Sequence, residues 1–220
     1  KRVVALLLSS AMLVASVLPV MAAGEGKSSQ ALENQVLSLG FEGNLDDSSG
    51  KGNNGTLSAG QAQYVEGILG NAVKLNGSSY INLGTSTELQ PQNMTLSFWM
   101  KPDGTMGNGE QVITWNKNTY DTDGWYLSTQ KDLPLILSIG PSKKNGQPYN
   151  VAVSGSRDEF FTAGEWTHVA ITYDSESKEV KFYRNGKQCE SVIKYGISGE
   201  STGVLGADES MEKSIGYNGP

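Results

Sequence analysis

Two stretches of this chain place apolar side chains at every second position, and that repeat decides what the chain can fold into. In Thr95-Leu-Ser-Phe-Trp-Met-Lys101, Leu96, Phe98 and Met100 share one side. Thr95, Ser97, Trp99 and Lys101 share the other. In Trp166-Thr-His-Val-Ala-Ile-Thr-Tyr173, Val169, Ile171 and Tyr173 line one side and His168, Ala170 and Thr172 the other. A period of two is the pleat of a β-strand, and a strand with one apolar face must bury it against another layer. Val180, Phe182 and Arg184 alternate with Lys181 and Tyr183 in the same way. Shorter strand candidates are Gln35–Phe41, Ala72–Leu75, Tyr80–Leu83, Gln111–Trp115, Trp125–Thr129, Pro134–Ile139, Tyr149–Val153 and Gln188–Ile193. Beyond the first 23 residues, no 11-residue window has helical periodicity.

Turn chemistry agrees with short strands. Asn-Gly occurs at 54, 76, 108, 145, 185 and 218, and this pair suits the positive φ of tight hairpins. Asn185-Gly186, between Tyr183-Arg184 and Lys187-Gln188, predicts three successive antiparallel strands at 166–173, 179–184 and 187–193. The fold class is therefore all-β: an antiparallel two-sheet sandwich or jelly roll in one domain.

The start of the chain has a different character. Lys1 and Arg2 precede an apolar run from Val3 to Leu18, then Pro19-Val-Met-Ala-Ala23. A basic start, an apolar stretch and small residues near a cleavage point describe a secretory signal peptide over residues 1–23; an uncleaved anchor is the rival reading. Residues 24–33 are small and polar and read as a linker, leaving 34–220 as the domain. Residues 1–23 carry two of the 17 Lys and Arg and none of the 23 Asp and Glu, so the body has a formal charge of −8. That balance disfavours nucleic acid, sulfated polysaccharides and, after cleavage, anionic membranes. Cys189 is the single cysteine, so an exported chain has no internal disulfide, a pattern that fits a bacterial extracellular protein.

Several blocks, taken together, resemble the laminin-G-like, concanavalin A-like jelly-roll family. They are Leu39-Gly-Phe-Glu-Gly-Asn-Leu-Asp-Asp-Ser-Ser-Gly-Lys-Gly-Asn-Asn-Gly55, Ala72-Val-Lys-Leu-Asn-Gly-Ser-Ser-Tyr-Ile-Asn-Leu83, Met94–Pro102, Gly164–Asp174 and Phe182-Tyr-Arg-Asn-Gly-Lys187. They fall in the family's order and span residues 35–219. The resemblance implies two packed sheets, one of them concave, secretion, often a structural calcium, and often a carbohydrate-binding or adhesion role beside other domains of the same chain. Domains of this kind usually close with a strand holding an Asp-Glu-Val-like stretch. The sequence stops at Gly216-Tyr-Asn-Gly-Pro220, so the expectation is a C-terminally incomplete domain lacking that strand.

Two loops carry candidate chemistry. Asp46, Asp47, Asn53 and Asn54 offer hard oxygens on a glycine-rich loop, the donor type that Ca2+ prefers; the alternative is an Asx-rich turn that caps its own backbone. The resemblance also implies calcium at this loop. Trp115, Asn116, Tyr120, Asp123 and Trp125, with Tyr149 beyond another polar loop, combine aromatic faces with amide and carboxylate groups. Sugar recognition uses those groups to stack on a ring and bond its hydroxyls; the alternative is that Trp115 and Trp125 pack inward. Trp99 and Trp166 sit inside strand blocks and read as structural.

No catalytic set is legible. His168 is the single histidine and would need a nucleophile and an orienting acid. Paired carboxylates on an apolar alternating strand, as a jelly-roll glycosidase would use, are not found; Asp121-Thr-Asp123, Arg157-Asp-Glu159, Asp174–Glu179 and Asp208–Glu212 look like turns. The expected function is a secreted carbohydrate-binding module for a neutral glycan, accessory to a larger extracellular protein and not itself an enzyme. A catalytic glycosidase or polysaccharide lyase and a protein-binding adhesion domain are the alternatives.

Overall fold

The computed structural model describes residues 4–7, 34–75, 77–102, 109–117, 124–140, 149–195 and 212–216. Its strands are β1 (Val4–Leu7), β2 (Thr56–Leu57), β3 (Gln63–Glu66), β4 (Asn71–Leu75), β5 (Ile81–Asn82), β6 (Met94–Pro102), β7 (Gln111–Lys117), β8 (Gly124–Gln130), β9 (Leu133–Ile139), β10 (Tyr149–Val153), β11 (Thr167–Tyr173), β12 (Val180–Arg184), β13 (Lys187–Gln188), β14 (Ser191–Tyr195) and β15 (Ser214–Ile215). A 3-10 turn covers Thr87–Leu89 and one short helix, α1, covers Arg157–Phe160.

The strands form two antiparallel sheets. One has seven strands in the order β13-β12-β11-β6-β1-β4-β3; the other has eight in the order β14-β10-β9-β8-β7-β15-β5-β2. The alternating stretches behave as their period requires. On β6, Met94, Phe98 and Met100 are buried between the sheets while Thr95 is exposed and Ser97, Trp99 and Lys101 are half-buried. On β11, Val169, Ile171 and Tyr173 join the same core. The facing sheet contributes Leu127, Leu135, Leu137, Ile139 and Val151, and one apolar cluster runs from Leu39 to Ile215. The protein is an all-β, two-sheet jelly roll.

The hairpin at Asn185-Gly186 forms as its sequence predicts, with φ of 48° and 78° at the two positions. β12 pairs with β11 in register, Ile171 against Phe182. The strand expected at 187–193 divides in two. Lys187-Gln188 stays beside β12, whereas Ser191–Tyr195 crosses to the other sheet and pairs with β10. Glu190 marks the crossing, its carbonyl accepting from Ser154 N. The strand expected at Gln35–Phe41 is reduced to one bridge, Leu39 with Asp47. Its polar backbone groups are satisfied by loop side chains: Ser38 N donates to Asp47 Oδ1 and Val36 O accepts from Asn53 Nδ2.

Helix α1 stands where Arg157-Asp-Glu159 was expected to be a turn, and it is too short to show a helical period. Its signal is the Ser156-x-x-Glu159 capping box, with the Ser156 side chain accepting from Glu159 N and the Glu159 side chain accepting from Ser156 N. Within the stretch expected as a leader, Val4–Leu7 lie as β1 between β6 and β4. The expected linker, 24–33, the Asn-Gly pairs at 145 and 218, and the asparagines of the pairs at 76 and 108 lie outside the described residues.

Candidate functional site

The predicted sugar-binding residues centre on the β7–β8 pair. Asn116 and Trp125 are direct cross-strand partners there, and their side chains face the opposite sheet. Trp125 belongs to the core cluster at 7% exposure, the inward packing that was the alternative for it. Asn116 is 1% exposed, and its Nδ2 donates to Leu89 O at 3.1 Å, tying β7 to the 3-10 turn. Trp115 is buried too, but on the other face of the sheet, where its ring lies 5.0 Å from Tyr126. Tyr149 opens β10 opposite Ile139. Tyr120 and Asp123 lie outside the described residues.

Asn116 and Trp125 line one cleft of about 750 Å³ between the two sheets. Its far wall is Met94, Leu96 and Phe98 of β6 with Tyr173 of β11. Its rim is polar, with Asn34, Gln35, Asn93 and Ser177. Two buried polar atoms in its lining have no hydrogen-bond partner among the described residues: Asn116 Oδ1 and Trp125 Nε1. Buried polar atoms are almost always paired, so each orphan calls for an explanation. Sequence reasoning found both residues but not the wall supplied by β6 and Tyr173, whose alternation signals burial and nothing more.

The carboxylates that reach the cleft are already engaged. Asp174 Oδ1 accepts from the amides of Glu176 and Ser177 and from the Ser177 hydroxyl. The hydrogen bonds from Ser177 hold its carboxyl below the usual range. Glu179 is bound to Lys181 at 2.7 Å. On the outward face of the seven-stranded sheet, His168 Nε2 lies 2.9 Å from Ser97 Oγ and its ring packs on Trp99. Among the described residues no carboxylate hydrogen-bonds His168, so the pair lacks the orienting acid of a catalytic triad. Burial holds the imidazole below its ordinary pKa.

The loop expected to hold calcium is built around Asp47. Its Oδ1 accepts from Ser38 N and Ser49 N, and its Oδ2 from Ser49 Oγ and Asn53 N. A carboxylate has about four lone-pair directions, and these four donors use them. Burial pushes the Asp47 carboxyl up, but the bonds from Ser49, Ser38 and Asn53 outweigh it and hold the pKa below the usual range. Asn54 Oδ1 accepts from Asp47 N, Asn53 Nδ2 is turned to Val36 O, and Asp46 is exposed. The donors as arranged do not fit calcium, because a cation would have to displace bonds that close the loop; the self-capping turn fits them.

Two packed antiparallel sheets with a cleft of aromatic and amide lining between them define the class, a β-sandwich jelly roll. The family model Laminin_G_3, described as the concanavalin A-like lectin/glucanases superfamily, matches residues 75–215, and the chain belongs to that family. No curated protein matches it by sequence. Among solved structures, it is similar to domain 4 of AbnA, a GH43 extracellular arabinanase from Geobacillus stearothermophilus, solved in complex with arabinotriose. The identity is 23% over 81% of this chain and 80% of that one, with a TM-score of 0.55. It is also similar to the binding domain of botulinum neurotoxin serotype D, at 21% identity over 84% of this chain and 44% of that one, with a TM-score of 0.59. The chain thus spans less than half of the toxin chain. At these identities the likeness is one of fold.

Proposed function

We propose that this chain is a carbohydrate-binding domain that holds a neutral glycan in the cleft between its sheets and does no chemistry on it. The observation that carries this reading is the orphaned pair, Asn116 Oδ1 and Trp125 Nε1. One is a buried acceptor without a donor, the other a buried donor without an acceptor, and they sit at paired positions on adjacent strands. A hydroxyl is donor and acceptor at once, so sugar hydroxyls can supply what each atom lacks. Leaving a buried polar group unpaired costs about 1–3 kcal/mol, which a bound hydroxyl recovers. A ligand with many hydroxyls and apolar C–H faces suits a cleft walled by Phe98, Tyr173 and methionine.

A passive role is supported by where Asp174 and Glu179 lie, tied to the Glu176–Ser177 turn and to Lys181, since a glycosidase needs two carboxyl groups flanking the bond it cuts. The arabinotriose bound to the AbnA domain supports glycan as the ligand class. In this reading the domain works outside the cell as an accessory module of a larger protein. Loss of residues 1–23 on export would take β1 with it and leave the facing edges of β4 and β6 unpaired.

The test is affinity electrophoresis and calorimetry of the chain on arabinan, arabinotriose and a panel of neutral glycans. Asn116→Ala and Trp125→Phe should each weaken binding about tenfold, roughly 1.4 kcal/mol, with the melting transition retained. Failure of the unmutated chain to bind any of the panel, or release of reducing or unsaturated sugar from them, would reject the reading.

A further inference from the structure

Loss of the first 23 residues opens a slot in the seven-stranded sheet. β1 pairs with β4 on one side and β6 on the other, antiparallel to both. Without it, β4 and β6 keep their outer neighbours β3 and β11. Their facing edges then lie two strand spacings apart, about 10 Å, room for one strand. The floor of the slot is the shared core, with Val73 and Leu75 buried on one bank and Met100 and Pro102 on the other. Left open, the slot uncovers that core and leaves two rows of backbone N–H and C=O groups without partners.

Register specifies what a filling strand must carry. Val4 stands between Leu75 and Pro102, and Leu6 between Val73 and Met100, so both positions are flanked by buried apolar residues. Ala5 stands between Lys74 and Lys101. Both lysines are half-buried, and neither forms an ion pair with a described residue. Any strand across the slot brings these two charges to one position, and the residue that answers them is Asp or Glu set between two apolar residues. β1 matches the apolar half of that pattern and has only alanine at the charged position.

The slot also has an entrance. β1 runs from the Leu75–Pro102 end towards Trp99, so a strand that reproduces its ladders enters beside Leu75. The C-terminal part of the chain arrives there. β15 ends at Ile215 in the facing sheet, and Gly216 N donates to Ile113 O. Gly216 lies so close to Leu75 that an added Cβ would come within 2.5 Å of its Cδ1. Packed sheets are about 10 Å apart, an extended residue spans about 3.3 Å, and Tyr217–Pro220 supply four residues for the crossing.

We propose that this slot is a strand-acceptor site, filled in the exported protein by the same chain running on past Pro220. The filling segment is extended, apolar at alternate positions, and carries a carboxylate between Lys74 and Lys101. β1 occupies its place in the unprocessed chain. This inference takes from the proposed function only the loss of residues 1–23 and the larger protein beyond the domain; it does not depend on glycan in the cleft. A strand from a second copy would make the same ladders, but Gly216 at the entrance points to the chain's own.

The experiment appends Thr-Val-Glu-Val-Thr-Ile after Pro220 of the full chain and follows amide hydrogen exchange. Val4–Leu7 amides should exchange about tenfold faster than in the parent, while those of β4 and β6 stay protected. The melting temperature should rise. Appending Thr-Val-Lys-Val-Thr-Ile should leave β1 in place. Leu6→Lys should lower the melting temperature of the parent but not that of the chain extended with the glutamate strand. Unchanged exchange at Val4–Leu7, equal displacement by the lysine-bearing strand, or a dimer in sedimentation would each overturn the proposal, the last by giving the slot to a second copy. So would an exported protein whose intact mass still includes residues 1–23. Glycan retention is a separate assay, and its failure bears on the cleft alone.

Discussion

Asp47 shows how one side chain can organise a loop. It gathers four donors from residues 38 to 53 and fixes the opening segment of the domain without a strand. Asp47→Asn keeps the shape but puts an amide N–H₂ against backbone N–H groups, so stability should fall by about 2 kcal/mol in urea titrations. The depressed carboxyl also gives the effect a sign with pH. A carboxylate held below its unfolded value adds stability that is present above that value, near 3.8, and is lost as pH falls through the folded pKa. The difference between the variant and the parent should therefore shrink as pH drops below about 4. Added calcium or chelator should leave both melting temperatures where they are. The residue types at this loop were legible in the sequence, but carboxylates and amides suit a cation and a turn equally well. Only the hydrogen-bond partners separate the two. The same holds for Trp115 and Trp125: their sequence spacing said nothing about which faces they would occupy, and the bulge in β7 between Val112 and Thr114 resets the alternation on which such a reading depends.

Elements were legible in proportion to their local signal. β6, β11 and β12 follow their alternation, and the hairpin between β12 and β13 follows Asn185-Gly186, because local sterics choose the turn. β2, β5 and β15 have two residues each, and only β5 was anticipated, within Tyr80–Leu83. They are strands because neighbours place them, as where Gly55 lets the chain pass Ile81 so closely that an added Cβ would come within 2.6 Å of its Cγ2. Helix α1 rests on its capping box and on the burial of Phe160 against Phe161, with ring centroids 4.7 Å apart. Ser156→Ala should cost about 1 kcal/mol, read as a lowered urea midpoint. Glycan retention should be unaffected, since α1 does not line the cleft.

The whole molecule is held by one core shared between two sheets. Phe98, at 1% exposure on β6, packs in that core and also forms part of the cleft wall. Phe98→Ala should destabilise the fold by about 3–5 kcal/mol, and the loss should appear as a single shifted transition by both far-UV and near-UV circular dichroism. Sandwich formation, the antiparallel hairpins and the inward faces of the long strands were determined by the sequence alone, since the period of two and the turn residues act within a few positions along the chain. The tertiary structure decided which sheet each strand joins, that residues 191–195 leave their hairpin for β10, and that Asn116 and Trp125 share a face that Trp115 does not. Those outcomes depend on contacts between residues far apart in the chain, and a local pattern holds no record of the partner that will satisfy it.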